Sequence, residues 1–239
     1  MLYWDSSFII LIPALLVAAW AQYRVSSTFN KYSKYKSLNG YTGSQVARML
    51  LDSSGLYDVP VELIPGKLSD HYDPGKRVMR LSQEVYHGNS VASIGVAAHE
   101  TGHAIQHKNR YLPLVIRNSI VPAVNFGSNA SWILLIAGFI LGIRSLVTIG
   151  IFLFTLVVLF QIVTLPVELN ASSRALKILE GKAILYSQEL EGARSVLRAA
   201  AMTYVAAVLT AVANLLRLIY ISRKIYIFEK GLTKQCPFG

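Results

Sequence analysis

Two histidines and a glutamate stand close together in the run Ala98-His99-Glu100-Thr101-Gly102-His103. The spacing is HExxH, and residues four apart lie on one face of a helix, so both imidazoles can reach a single metal ion. Zinc binds histidine nitrogen at about 2.0–2.1 Å. The glutamate beside the first histidine is then placed to take a proton from a water held by that ion. The alternative is a surface helix that carries two solvated histidines.

A catalytic zinc needs a third protein ligand. His107 continues the four-residue series, but eight residues of helix separate it from His99 by about 12 Å, so we expect it at the rim of the site or in solvent. Glu168 is the best carboxylate after the motif, because it follows a long apolar segment and a charge there is costly unless it is paired or metal-bound. The alternative is an interfacial glutamate that pairs with Arg174 or Lys177.

Other polar side chains near these positions are candidates for supporting roles. Such groups orient the ligand histidines or stabilise a developing oxyanion, although each is also a common structural residue. The candidates are Asn170 and Ser172 as partners of the histidines, and Arg174, His71 and Tyr72 as stabilising groups.

The composition excludes several classes of protein. Of the 239 residues, 53% are hydrophobic and only 15% are charged, against roughly 25% charged in a typical soluble domain. Intrinsic disorder is excluded, since it needs low hydrophobicity and high charge density. The single cysteine, Cys236, excludes a disulfide-stabilised scaffold and argues against a cysteine-ligated metal or a cysteine nucleophile.

The apolar residues are concentrated in four windows without Asp, Glu, Lys or Arg, at 6–23, 118–143, 145–167 and 199–216. A helix needs about 20 apolar residues to cross a bilayer, so the windows predict four transmembrane helices. The alternative is a set of buried helices in a large soluble core. The predicted fold class is a mostly α integral membrane protein with about four transmembrane helices and a small α+β cytoplasmic metallopeptidase domain that contains the HExxH helix.

The windows divide the chain into segments. Windows two and three are separated by Arg144 alone, which predicts a tight hairpin that returns Glu168 to the side of the HExxH helix. Lys and Arg are most frequent in the long polar segment, which places both polar segments in the cytoplasm. The predicted division is an anchor helix at 1–23, a catalytic segment at 24–117, a helical hairpin at 118–167, a cytoplasmic helical segment with the third ligand at 168–198, a helix at 199–220 and a basic tail at 221–239.

The net charge of +10 indicates attraction to anionic lipid headgroups, because no nucleic-acid fold signature accompanies it. The lipid bilayer and a polypeptide substrate are therefore the expected partners, and nucleic acid is not. The tail is also basic, yet four crossings place it outside. Either the last helix does not cross fully, or the tail tolerates its charge on that side.

The polar segment 24–117 predicts short elements. Thr42 can cap a helix over 45–51, and Ser90 can cap a helix that runs from Val91 to about Lys108. Strands are predicted at 59–64 and 78–82, with a turn at Asp73-Pro74-Gly75-Lys76. An extended substrate could add to the exposed edge of the second strand by backbone hydrogen bonds. The residues of that edge are Val78, Met79, Arg80, Leu81 and Ser82.

Four runs of the chain together resemble the YugP-like membrane neutral zinc metallopeptidases of bacteria, over nearly the whole chain. The runs are His71-Tyr72-Asp73-Pro74, Arg80-Leu81-Ser82, Gly95 to His107 and Leu165-Pro166-Val167-Glu168. The chain is more distantly similar to the heat-shock X type and CAAX prenyl membrane proteases. In those relatives a Glu-x-x-Ala-Asp motif supplies the third ligand, and Ser172 stands here where that motif ends in Asp.

The resemblance implies that His99, His103 and Glu168 bind one zinc ion and that Glu100 is the general base, an arrangement similar to that of gluzincins. The expected activity is hydrolysis of peptide bonds in membrane or membrane-adjacent polypeptides. The competing hypothesis is a non-catalytic membrane scaffold or sensor, which would need the ligands but not the glutamate at position 100.

Overall fold

The computed structural model describes residues 6–234, and these are mostly helical. Seven α-helices and one three-stranded sheet follow a short 3-10 helix at Ser6–Ile10. The helices are α1 Ile12–Tyr32, α2 Gly43–Ser53, α3 Gln83–Tyr86, α4 Val91–Lys108, α5 Leu112–Leu141, α6 Arg144–Gly181 and α7 Ser187–Lys234; the strands are β1 Val61–Ile64, β2 His71–Asp73 and β3 Val78–Ser82.

Four helical stretches are long and apolar enough to cross a membrane. They are Ser7–Tyr32, Leu112–Leu141, Arg144–Gly181 and Ser187–Lys224, and each overlaps one of the four uncharged windows. At most 28% of the residues in any of their most apolar windows are buried inside the protein. Buried helices of a soluble core would hide most of these side chains, so the membrane interpretation is favoured over the soluble one.

The described chain forms two compact units. The first combines the residues before Trp20, those from 117 to 163 and those after Tyr204. Its α5–α6 hairpin turns at Gly142, whose φ of +66° is a conformation that favours glycine. The two helices of the hairpin approach closely, since a Cβ built on Gly150 would lie 2.8 Å from Leu135 Cγ, and Ser131 Oγ donates a hydrogen bond to Gly150 O at 2.8 Å.

The second half of α7 packs beside the 3-10 helix that precedes α1, within this first unit. Arg217 Nε donates a hydrogen bond to Ser7 Oγ at 3.1 Å, and the Arg217 guanidinium lies 4.0 Å from the centre of the Phe8 ring. The predicted tail at 221–239 is helical as far as Lys234, because α7 continues without a break; its residues 235–239 lie outside the described part of the chain.

The second unit combines residues 20–116 with residues 164–204 and contains the sheet. The strand order is β1-β3-β2: β1 pairs parallel with β3, with Val61 opposite Met79, and β2 pairs antiparallel with β3, with Tyr72 opposite Met79. The prediction that Val78–Ser82 offers an exposed edge is therefore wrong. The turn at Asp73–Lys76 folds β2 onto one side of β3, and β1 occupies the other side, so the free edges belong to β1 and β2.

Two helices of this unit begin at the predicted caps. Thr42 and Gln45 form a reciprocal capping box at the start of α2, and Ser90 Oγ accepts a hydrogen bond from Ser93 N at 3.1 Å at the start of α4. The capping box satisfies backbone donors that the first turn of α2 would leave unpaired. Buried side chains of α2, including Val46 and Leu50, pack with Ile94 and Ala98 of α4, which fixes the HExxH helix on the core of the unit.

Candidate metal centre

His99 and His103 lie one turn apart on α4, and their rings meet edge to face with centroids 4.7 Å apart. Glu168 enters from α6: its Oε2 atom lies 3.3 Å from His99 Nε2 and 3.3 Å from His103 Nε2. The three candidate ligand atoms all lie within 4.8 Å of one another. Two residues of one helix and a carboxylate 69 positions later in the chain are thus gathered at one point.

The donor set of this cluster fits zinc. Two imidazole nitrogens and one carboxylate oxygen are a known ligand set of catalytic zinc, which leaves a coordination position for water. Glu168 is only 4% exposed, and a buried carboxylate needs positive partners or hydrogen bonds to offset its desolvation. Within the described part of the chain, this is the group of three His, Cys, Asp or Glu side chains with the geometry to hold an ion.

His103 is oriented by Gln106, a fully buried residue of the same helix. The Gln106 amide nitrogen donates to Val167 O at 2.8 Å and to Asn170 Oδ1 at 3.0 Å. The amide oxygen therefore faces His103 Nδ1, at 3.0 Å, and can only accept. This fixes the proton of His103 on Nδ1 and leaves the Nε2 lone pair directed at Glu168 and the candidate ion position.

His99 has a corresponding partner on α6. Ser172 Oγ lies 3.1 Å from His99 Nδ1, so the ring nitrogen away from the cluster is also hydrogen-bonded. The contact is made here by a hydroxyl and not by a carboxylate. A hydroxyl supports the histidine without adding a second negative charge next to Glu168.

Glu100 lies beside the cluster and is 8% exposed. Its Oε2 accepts a hydrogen bond from the backbone N–H of Tyr72 in β2 at 2.9 Å, which fixes the direction of the carboxylate. Burial raises the pKa of Glu100 to about 7, and the nearby Glu168 carboxylate acts in the same direction. A carboxylate with this pKa can accept and release a proton near neutral pH.

A close contact between α4 and α6 positions Glu168. A Cβ built on Gly102 would lie 2.6 Å from the backbone oxygen of Ala171, a distance that side chains do not tolerate. Only glycine permits this approach of the two backbones. The glycine within the HExxH motif therefore allows α4 and α6 to pack closely.

The other predicted residues lie at different distances from the cluster. Arg174 Nε donates to Asn170 Oδ1 at 2.7 Å, so Arg174 reaches His103 only through Asn170 and Gln106. His107 and the Tyr72 hydroxyl hydrogen-bond each other at 2.9 Å, and His107 is not among the three clustered groups.

His71 is exposed, and its ring nitrogen Nδ1 lies 2.8 Å from Ser69 O. The Val78–Ser82 strand lies in the middle of the sheet, where β1 pairs with its residues 79–82 and β2 with its residues 78–80. Neither position is brought into contact with the three candidate ligands.

Two contributors were missed by the sequence analysis. Gln106 gave a usable signal, since a glutamine three residues after the second histidine lies on the neighbouring face of the same helix. The backbone N–H of Tyr72 gave none, because a main-chain donor has no side chain to identify it and β2 is only three residues long.

Comparisons with known proteins agree with this geometry. A family model described as "Putative neutral zinc metallopeptidase" matches residues 7–223 of the chain. The chain is also 50% identical over 210 residues to a protein of Bacillus subtilis (strain 168) described as "Putative membrane protease YugP", and the match covers 88% of this chain and 93% of that protein. No solved structure matches the chain.

Proposed function

The chain belongs to the family described as "Putative neutral zinc metallopeptidase", and from this membership we propose that it is a membrane-embedded zinc endopeptidase that hydrolyses peptide bonds of membrane or membrane-adjacent polypeptides. The observation that carries the proposal is the convergence of His99, His103 and Glu168 on one point, with the buried Glu100 carboxylate beside it. One zinc ion is the cofactor that this donor set would hold. The bound ion would polarise the scissile carbonyl and acidify a water molecule.

The chain's own residues supply the proton transfers. Glu100 is held by the Tyr72 N–H and takes the proton of the attacking water. It then passes this proton to the nitrogen of the leaving amine, so the Glu100 carboxylate is regenerated at the end of the reaction. Gln106 and Ser172 keep the two imidazoles in the orientation that ligation needs.

The site is proposed to act at the cytoplasmic face of the cell membrane. The polar segments 24–117 and 168–198 carry 12 and five of the 23 Lys and Arg residues, which favours the cytoplasm for both. The four apolar helical stretches support a multi-pass arrangement in the bilayer. The division of the chain into an anchor helix, a catalytic segment, a helical hairpin, a second cytoplasmic segment, a last helix and a basic tail is part of the same proposal.

A non-catalytic zinc scaffold or sensor is the competing function. Such a protein needs the three ligands, but it has no use for a carboxylate kept almost fully buried at position 100, where burial disfavours the charged form. The position of Glu100 therefore favours the peptidase.

The test is a Glu100→Gln variant of the full chain, purified in detergent and compared with the parent for zinc content and for cleavage of a peptide mixture. We expect about one zinc ion per chain in both proteins. Cleavage by the variant should be slower by at least about 100-fold, since general-base catalysis contributes roughly that factor or more. Glu180→Gln, at an exposed position of α6, is the matched control and should cleave at the parental rate. Zinc retention with undiminished cleavage in Glu100→Gln would refute the mechanism, and zinc without any cleavage by the parent would favour the scaffold.

A further inference from the structure

A cavity of about 300 Å³ opens directly beside the candidate metal centre. Of the residues discussed above, His99 and Glu100 line one end of it, while His103 and Glu168 do not. The cavity therefore lies on the side of the general base. Its volume is at the small end of the range for ligand pockets, which suits one or two side chains rather than a folded segment.

The walls of the cavity are largely apolar. They come from the second half of α1, from the segment just before β2, from α4 and from the first half of α7, all within the second compact unit. The apolar side chains that line it are Val25, Phe29, Leu68, Val96, Val196, Leu197 and Ala200. An apolar side chain transferred from water into such a lining gains the free energy of hydrophobic burial.

The cavity is held in shape by the surrounding core. Phe29 is 2% exposed and Val196 is 5% exposed, and both belong to a buried cluster against which Val96 packs. Three helices would have to move to close the space. The pocket is thus already formed before a ligand enters, which reduces the entropic cost of binding.

The polar groups at the pocket favour an uncharged occupant. The polar side chains that line it are Gln22, Asp70, His99, Glu100, Thr203 and Tyr204. An acidic side chain would meet the two carboxyl groups of Asp70 and Glu100. Both Asp70 oxygens already accept hydrogen bonds, from Ser82 N at 2.7 Å and from Ser82 Oγ at 3.1 Å. Burial raises the pKa of Asp70, which weakens it further as an anionic partner for a basic side chain.

We propose that this cavity is the specificity pocket of the enzyme and receives a bulky apolar side chain, such as leucine or phenylalanine, from a residue next to the cleaved bond. The inference rests on the proposed function. It assigns Ala200 as a specificity-determining position, because Ala200 is a small lining residue on α7 whose enlargement reduces the space for that side chain.

The experiment uses three peptides that differ at one residue flanking the cleaved bond: leucine, glycine or lysine. The parent should cleave the leucine peptide with a kcat/KM at least about 10-fold above that of the glycine peptide. A hydrophobic pocket distinguishes side chains that differ in apolar size by about this factor or more. Ala200→Leu should remove most of this preference, so that the ratio of kcat/KM for the leucine peptide to that for the glycine peptide falls toward one. Ala200→Val should have an intermediate effect and guards against misfolding of the larger variant.

Ala201→Leu is the matched control, since Ala201 is also half-buried on α7 but does not line the pocket. It should keep the parental preference. A second readout is binding: in the Glu100→Gln background, which leaves peptides intact, the Kd of the leucine peptide should rise about 10-fold with Ala200→Leu and not with Ala201→Leu.

The outcomes separate this inference from the proposed function. Cleavage without a preference for leucine over glycine, a preference for lysine, or an equal effect of Ala200→Leu and Ala201→Leu would overturn the pocket assignment while leaving the peptidase intact. Absence of cleavage by the parent would refute the peptidase. Selective loss of leucine-peptide binding in Ala200→Leu would then still support the pocket.

Discussion

At the scale of single residues, the imidazole nitrogens turned away from the candidate ion are as well defined as those turned toward it. Gln106 accepts from His103, and Ser172 contacts His99. Gln106 in turn is fixed by Val167 O and Asn170, so the side chain has one orientation available. Partners of this kind affect metal affinity by roughly 10- to 100-fold in metalloproteins.

Gln106→Leu should therefore weaken zinc binding. The substitution keeps the approximate volume but removes the acceptor for His103, so we expect the zinc Kd to rise by about 10- to 100-fold, measured by competition with a chromogenic chelator. Gln188→Leu, at an exposed position early in α7, is the control and should bind zinc as the parent does. Unchanged zinc affinity in Gln106→Leu would show that the hydrogen bond does not position the histidine.

Much of the candidate site could be predicted from residues alone, and the reason is the local spacing of its main part. His99, Glu100 and His103 lie on one helical turn, so their proximity follows from helix geometry. Glu168 could be selected because few carboxylates follow the motif and the hairpin returns the chain. The helical spacing of Gln106 indicates its contact with His103, but its contacts with Val167 and Asn170 of α6 could not be predicted. The Tyr72 N–H could not be assigned, because its role depends on where β2 lies relative to α4.

At the scale of elements, the contact of α4 with α6 at Gly102 brings the ligands of two helices together. A Cβ added to Gly102 would meet the backbone of Ala171, and a backbone atom cannot rotate away as the end of a side chain can. Gly95, one heptad earlier on α4, faces Ala193 of α7, where an added Cβ would find its nearest neighbour at an ordinary 3.4 Å. Position 95 of α4 therefore has room for an added methyl group, whereas position 102 does not.

Gly102→Ala should separate α6 from α4, while Gly95→Ala should not. We expect Gly102→Ala to lower the free energy of unfolding by about 1–3 kcal/mol through overpacking and to weaken zinc binding. Gly95→Ala should be neutral or stabilising by up to about 1 kcal/mol, because alanine is the better helix former. Thermal melts and zinc titrations of both variants in detergent test this. Equal behaviour of the two variants would mean that the Gly102 contact does not hold Glu168 in place.

The elements show where sequence patterns were informative. The capping residues Thr42 and Ser90 predicted the starts of α2 and α4, because caps act within one turn of the chain. The strands were harder to predict from the sequence than the helices. Strands β1 and β3 were placed within two residues of their observed bounds, but β2 and the strand order were not predicted. The parallel pairing of β1 with β3 joins residues separated by a long connection, and β2 is too short to produce an alternating pattern.

At the scale of the whole molecule, the charge of the basic tail is compatible with two topologies. Either the last helix does not cross the membrane fully, or it crosses and the tail carries its charge on the far side. The contact of Arg217 with Ser7 and Phe8 places the second half of α7 beside the 3-10 helix that precedes α1. If α1 crosses the bilayer, α7 must cross it as well to reach this point. The contact thus favours the topology in which the tail tolerates its charge on the side opposite the HExxH helix.

Cysteine labelling in intact cells tests this topology. Cys236 is the only cysteine of the chain and lies outside the described residues, two positions after the end of α7. A membrane-impermeant maleimide should label it without permeabilisation. Lys76→Cys, at an exposed turn between β2 and β3 and combined with Cys236→Ser, should be labelled only after permeabilisation. Labelling of both sites only in permeabilised cells would show that the last helix does not cross.

The positions of the candidate ligands along the chain also set an order of events during biosynthesis. Glu168 is made 69 residues after His99, and all of α5 lies between them. The ribosome therefore makes both imidazoles well before the carboxylate, and the apolar segments 118–143 and 145–167 are made in the interval. The three side chains of the proposed metal centre accordingly cannot come together until both helical segments of the hairpin have been synthesised.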